Sequence, residues 1–124
     1  MLQEISLAGK TALVTGGATG IGFAIAEEMA DAGAHVVIVG RREEKLKEAA
    51  EKLGDKCSWY KFDVTETEKH AEFIQMLEDQ APLDILVNTA GINNKKDYFD
   101  FTAEEFDEIV ATQAKAPFML SQEV

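Results

Sequence analysis

One cysteine, one tryptophan, two histidines and two prolines are all that the 124 residues contain of those types. A lone Cys57 allows no internal disulfide. Neither it nor His35 or His70 has a Cys or His at metal-ligand spacing, so no metal is expected. No window approaches the roughly eighteen consecutive apolar residues of a membrane span. The opening "MLQEISLAGK" lacks the basic stretch and apolar core of a secretory signal. A cytoplasmic setting without a membrane partner is therefore expected. Basic residues are scarce, 12 Lys and Arg against 23 Asp and Glu, and a formal charge of −11 repels phosphodiester backbones. That balance excludes nucleic acid as an expected partner. What is present, 46% hydrophobic and 28% charged residues, is the makeup of one folded domain, residues 1–124, with a core to bury. No internal repeat, low-complexity tract or long linker divides it.

Apolar runs alternate with helical patterns, the β-α-β-α order of a mostly parallel sheet covered by helices on both faces. The runs are Thr11 to Val14, His35 to Val39, "CSWYKF" from Cys57, and "DILVN" from Asp84. "VVIV" within the second has no alternation, as a strand buried on both faces requires. "CSWYKF" alternates better and includes Lys61, which suits an edge strand. Between the runs, Ile21, Ile25 and Met29 recur every four residues. Leu46, Ala49, Ala50 and Leu53 follow helical spacing, as do His70, Phe73, Ile74 and Leu77. A further stripe comprises Phe106, Ile109, Val110, Gln113 and Ala114, after which Pro117 should kink the helix or begin a new segment. Thr65 with Glu68, and Thr102 with Glu105, have the spacing of capping boxes and predict two helix starts.

The first run ends in "TGGATGIG" and passes straight into a helical pattern. A helix N-terminus offers unpaired amides and a partial positive charge, and glycines let a pyrophosphate reach them. Gly16 would make the tight turn, Gly20 would permit the approach, and Gly22 would let the helix pack on the strand. The spacing G-x-x-x-G-x-G departs by one position from the commoner G-x-G-x-x-G.

"TGGATGIG" at Thr15 to Gly22, "FDV" at Phe62 to Val64 and "LVNTAG" at Leu86 to Gly91 occur in order, and "AEEFDEIVATQAKAPFMLSQ" follows them. In this the chain, from Leu7 onward, resembles the short-chain dehydrogenase/reductase family. The resemblance implies a Rossmann-like, doubly wound α/β fold with a parallel sheet. It also implies a dinucleotide held by Thr15, Gly16, Thr19, Gly20, Ile21 and Gly22 in the first motif. Asp63 and Val64 would lie at the adenine, and Asn88, Ala90 and Gly91 would flank the cofactor. An acidic residue at the end of the second strand would bind the ribose 2′-hydroxyl of NAD, whereas arginine accommodates a 2′-phosphate. Here Val39 and Gly40 are followed by Arg41 and Arg42, the only arginines in the chain. A planar guanidinium fork suits phosphate, so NADP is expected over NAD.

The implied chemistry, hydride transfer between nicotinamide and a carbonyl or alcohol, needs a proton donor that the family supplies as Tyr-x-x-x-Lys. Tyr60 is followed four residues later by Val64, and Tyr98 by Thr102. The resemblance places the family's serine and tyrosine beyond Val124. The chain therefore reads as the cofactor-binding half of such an enzyme, with no complete catalytic set of its own. Thr89 replaces the second asparagine of N-N-A-G, and Ala116 stands where the family has glycine. Gln113 stands at the family's asparagine on the fourth helix and, on its apolar stripe, should face inward. A sheet truncated after about four strands, in the order 3-2-1-4, would leave "DILV" as a bare apolar edge, and a homo-oligomer is expected. The loop "GINNKKDYFDFT" is where the family's substrate pocket begins. Its Lys95 and Lys96 would attract a carboxylate, in keeping with a look similar to gluconate and ketogluconate dehydrogenases. Reductases of 3-oxoacyl carriers share the same first half. The alternative reading is a nucleotide-binding or interaction module of this ancestry without catalysis.

Overall fold

The computed structural model describes residues 6–90 and 102–124. Four parallel strands form one sheet in the order β3-β2-β1-β4. They are β1 (Thr11–Thr15), β2 (His35–Gly40), β3 (Cys57–Lys61) and β4 (Ile85–Asn88). The helices are α1 (Gly20–Asp31), α2 (Glu43–Leu53), α3 (His70–Gln80), α4 (Ala103–Val110) and α5 (Ala116–Glu123). A π-helical turn, Ala111–Lys115, joins α4 to α5. This is the α/β arrangement that the alternation of runs predicts, with "CSWYK" at one sheet edge and "ILVN" at the other.

Successive side chains of a strand point to opposite faces, and both faces of the central strands β1 and β2 are covered, so these two carry apolar residues at successive positions. Leu13, Val37 and Val39 pack on one face with Ile74 and Leu77 of α3 and with Ala116 and Leu120 of α5. Val14, Val36 and Ile38 pack on the other with Ala26 and Ala30 of α1 and with Leu46 and Ala49 of α2. All of β1 is buried, so the glycine loop springs from the centre of the sheet. The amino-end rim is fastened separately. Thr11 N–H donates to Asp84 Oδ2 at 2.9 Å, and Asp84 N–H donates to the Thr11 carbonyl at 2.9 Å.

Three helical expectations need correction. In α1 the buried positions are Gly22, Ala26 and Ala30, while Ile21 is 77% exposed. Ile25 and Met29 lie at the border. Small residues let this helix sit close on the sheet, and the larger ones flank the contact. Thr65 and Glu68 form no capping box. Asp63 Oδ1 accepts from Thr65 N–H at 3.0 Å and from its hydroxyl at 2.7 Å, which engages the group that would have capped. A 3₁₀ turn (Thr67–Lys69) intervenes, and α3 begins at His70 without a side-chain cap. Glu66 and Lys69 pair across that turn at 2.7 Å, and this bond and charge raise the Lys69 pKa above its usual range. By contrast, Thr102 and Glu105 do form a reciprocal capping box at the start of α4.

The third correction concerns Gln113. It is exposed, and Thr112 is buried instead, in line with Ala116 and Leu120. In an α-helix the positions three and four before Ala116 both border its face. A π turn, bonded i to i+5, winds at more than four residues per turn, so the position four before stays in line and the position three before swings away. Pro117 is the local cause. It lacks an N–H for the Gln113 carbonyl, and its ring would crowd that carbonyl, whereas Ala116 N–H bonds back to Ala111 in the wider pattern. Phe106 and Val110, expected on the inward stripe, are likewise exposed.

Candidate functional site

A cleft of about 390 Å³ opens at the carboxy ends of the strands, where open α/β sheets bind ligands. Gly16 and Thr19 of the glycine loop form one side, Arg41 and Arg42 after β2 another, and Asp63, Val64 and Ala90 a third. Residues far apart in the sequence thus meet as the motifs imply. The lining also includes Lys45, Phe62 and Thr112, to which the sequence reading assigned no role. Lys45 has a legible signal, lying one turn beyond Arg42 on α2. Thr112 has none, because its orientation depends on the π turn.

The loop's glycines divide their work. Gly16 has φ +66°, and a Cβ there would lie 2.8 Å from Ala90 Cα, so the turn abuts the end of β4. Gly20 has φ +59°, and a Cβ there would meet nothing within 4 Å, leaving open space at the start of α1. A Cβ at Gly22 would collide with the Gly16 carbonyl oxygen and the Thr89 hydroxyl. Gly22 therefore closes α1 onto its own turn and on β4, more than onto the strand that precedes it. Gly17, overlooked in the sequence, is required by Ile38 of β2, whose Cγ2 would be 2.6 Å from a Cβ.

Thr15 and Thr89 fasten this rim. Thr15 Oγ1 accepts from Thr89 N–H at 3.1 Å and from Ala90 N–H at 3.3 Å, and the Thr89 hydroxyl donates to the Thr15 carbonyl. Thr15 is buried in that role and does not line the cleft. Gly20, Ile21 and Gly22 also lie outside the lining, and Asn88 Nδ2 donates to Ser121 Oγ at 3.5 Å. Gly91, Lys95, Lys96 and Tyr98 lie outside the described residues.

The site's chemistry fits a dinucleotide. The N-terminus of α1 has no side-chain cap and no acidic residue in its first turn, so its first amides and partial positive charge are available to an anion. Two arginines stand nearby, and Arg41 Nη1 lies 4.0 Å from Glu108 Oε1 with both side chains half exposed, a contact that solvent weakens. Asp63 keeps Oδ1 on Thr65 while lining the cleft, so its turn role and a ligand role coexist. Thr112 Oγ1 is buried without a hydrogen-bond partner. Among the described residues no group of three or more His, Cys, Asp or Glu gathers at metal-binding distance. No described helix is long and apolar enough to cross a membrane.

A parallel sheet in this order, with a glycine turn feeding the central helix, defines a Rossmann-like nucleotide-binding fold. The family model of short chain dehydrogenases matches residues 10–124, and the chain belongs to that family. It is 38% identical over 123 residues to gluconate 5-dehydrogenase of Gluconobacter oxydans, covering 96% of this chain and 48% of that protein. It is 39% identical over 119 residues to a 3-oxoacyl-acyl-carrier-protein reductase of Rickettsia bellii, covering 96% and 48%. Against 5-keto-D-gluconate 5-reductase of Escherichia coli the identity is 36% over 128 residues, covering 100% and 50%. Among solved structures, a candidate short-chain alcohol dehydrogenase from Sinorhizobium meliloti 1021 superposes with a TM-score of 0.85 at 39% identity, over 95% of this chain and 48% of that one. The chain spans about half the length of the curated relatives it matches.

Proposed function

We propose that the chain is the cofactor-binding part of an NADP-dependent oxidoreductase that interconverts a carbonyl and an alcohol. The observation that carries this reading is the placement of Arg41 and Arg42 in the same cleft as Thr19, the residue that precedes α1 and leaves its first turn without a side-chain cap. No acidic residue stands at the end of β2 to hold a ribose 2′-hydroxyl, and the two guanidinium forks that follow the strand are of the chemistry that suits a 2′-phosphate. Lys45 adds a third cation to that wall. When bound, the nicotinamide supplies or accepts hydride. The residues of this chain hold the pyrophosphate at Thr19 and the α1 amides and the adenine beside Asp63 and Val64. Sugar acids are the substrate class suggested by the named gluconate relatives, and a cytoplasmic setting is proposed from the lack of a secretory signal pattern in the opening residues.

Calorimetric titration tests the cofactor. NADPH should bind the chain more tightly than NADH, and Arg41→Ala with Arg42→Ala should erase the difference, a change of roughly tenfold or more for two charged contacts. Equal affinities before substitution would refute it. Turnover of carbonyl substrates by this chain alone is not expected, because it carries no Tyr-x-x-x-Lys pair. The second reading, a nucleotide-binding module without catalysis, is favoured by the outward Gln113. It predicts the same titration, with no activity when the chain is joined to a catalytic half from a relative.

A further inference from the structure

A second, smaller cavity of about 270 Å³ lies beside the cleft, in the groove between α1 and α2. Helical spacing explains one of its walls. Lys45, Glu48, Ala49 and Lys52 stand three, four and seven residues along α2, so they share the face turned to α1. Ala49 is buried there and Gly20, opposite, has no side chain, which leaves a space that larger residues would fill. Phe23 of α1 supplies the apolar part of the lining. Ala18, Thr19 and Lys45 line both this cavity and the cleft, whereas Phe23, Glu48 and Lys52 line this one alone.

Charge sets this cavity apart from the rest of the molecule. In a chain with 23 acidic residues against 12 basic ones, its lining has two lysines and one glutamate. Glu48 is met by Lys45 at 4.0 Å, which leaves Lys52 as the uncompensated charge. Among the described residues Lys52 forms no ion pair. Its Nζ lies 5.7 Å from the centroid of the Phe23 ring, an aromatic face that holds the ammonium at the cavity wall without neutralising it. On the other side Thr19 precedes α1 with a hydroxyl that makes no capping bond, and the first turn of the helix carries no acidic residue. An ammonium, a hydroxyl and unpaired amides therefore border one space. A phosphate ion, with several strong acceptor oxygens and a charge near −2, matches such a set of donors.

We propose that the cavity between α1 and α2 is a second anion site, taking an inorganic phosphate ion apart from the dinucleotide cleft, with Lys52 and the Thr19 hydroxyl as its ligands. Lys45 stands on the wall shared with the cleft, so a phosphate held here weakens the binding of a 2′-phosphorylated nucleotide next door, by like charge and by drawing Lys45 away. That coupling rests on the NADP reading of the cleft. The site itself does not.

The test is an NMR titration with sodium phosphate at constant ionic strength, read at the amides of Thr19, Gly20 and Phe23. It is made in the Arg41→Ala, Arg42→Ala double variant, which removes the guanidiniums of the cleft; these two residues and Lys52 are all exposed. Saturable shifts should remain there, and adding Lys52→Gln should raise the dissociation constant about fivefold, the scale of one exposed charged contact. Lys52→Arg should keep the affinity. No saturable shift in the double variant would overturn the inference, as would a dissociation constant indifferent to Lys52→Gln. For the coupling, NADPH is titrated into the unaltered chain and into Lys52→Gln, with phosphate or with chloride of equal ionic strength. Phosphate should weaken NADPH binding in the unaltered chain and do so less in Lys52→Gln. An equal loss in both would show phosphate competing inside the cleft alone, and would overturn the coupling. Failure of NADPH to bind at all would overturn the dinucleotide reading and the coupling with it, while the phosphate shifts decide the second site by themselves.

Discussion

Cys57 and Gly22 show how differently single residues register their surroundings. Cys57 begins the edge strand β3, and burial pushes its thiol up to about 11 from 9.0. A thiolate is the reactive form, so iodoacetamide at pH 8 should modify the folded chain far more slowly than the unfolded one. Equal rates, followed by mass spectrometry, would contradict this burial. The linkage has a definite sign. The unfolded thiol loses its proton first, so Cys57 leaves stability unaffected below pH 9 and lowers it as pH rises towards about 11. Gly22 responds through shape. Gly22→Ala should cost about 1–3 kcal/mol in urea unfolding, because the new methyl meets the Gly16 carbonyl and the Thr89 hydroxyl. Gly20→Ala enters open space and should cost about 1 kcal/mol, from its positive φ alone. The sequence made Gly16, Gly20 and Gly22 legible as a turn that needs glycine. It did not show Gly17, whose need comes from Ile38 on another strand, nor that Thr89 clamps Thr15, because both are contacts between distant segments.

At the scale of elements, helices whose starts or faces are set locally were readable, and those set by neighbours were not. The Thr102 and Glu105 box formed as spaced. The Thr65 and Glu68 pair failed because Asp63, a charged acceptor two residues away, binds Thr65 first. Spacing alone does not rank competing acceptors. The α2 and α3 stripes hold, since Leu46, Ala49, Ile74 and Leu77 are buried as their periodicity predicts. In the last helix, a 3.6-residue count carried across Ala111–Lys115 selects Gln113, and the wider turn selects Thr112. Pro117→Ala should relax that turn, because alanine can donate to the Gln113 carbonyl and regain ordinary winding. A thiol placed by Gln113→Cys should then label more slowly in the Pro117→Ala background than in the parent. Identical labelling rates would show that something other than Pro117 holds the π turn open.

For the whole molecule, the order β3-β2-β1-β4 leaves β4 as an edge, its Leu86 and Val87 only partly covered. Among the described residues nothing pairs with its outer side, and an apolar parallel edge strand recruits another chain. The 124-residue chain should therefore run above its 13.6 kDa monomer mass in light scattering, increasingly with concentration. A constant 13.6 kDa mass would remove the case for self-association through that edge. Fold class and strand order were legible because the strands read as short apolar or alternating runs and each connection between them as a helix, which leaves few topologies. The assembly of the cleft was legible only in part. Motifs named most of its walls, while Lys45 entered by lying one turn beyond Arg42 on α2 and Thr112 by the winding of the π turn.

The two rims of the sheet have separate duties. One is closed by Thr11 and Asp84, which exchange hydrogen bonds where the strands begin. The other, where the strands end, carries the glycine loop, Arg41, Arg42, Asp63 and Thr112. Side chains at the cleft rim can therefore be replaced without loosening the bonds that hold the strands in step at the opposite rim. Alignment and cleft chemistry are set at opposite ends of the same four strands.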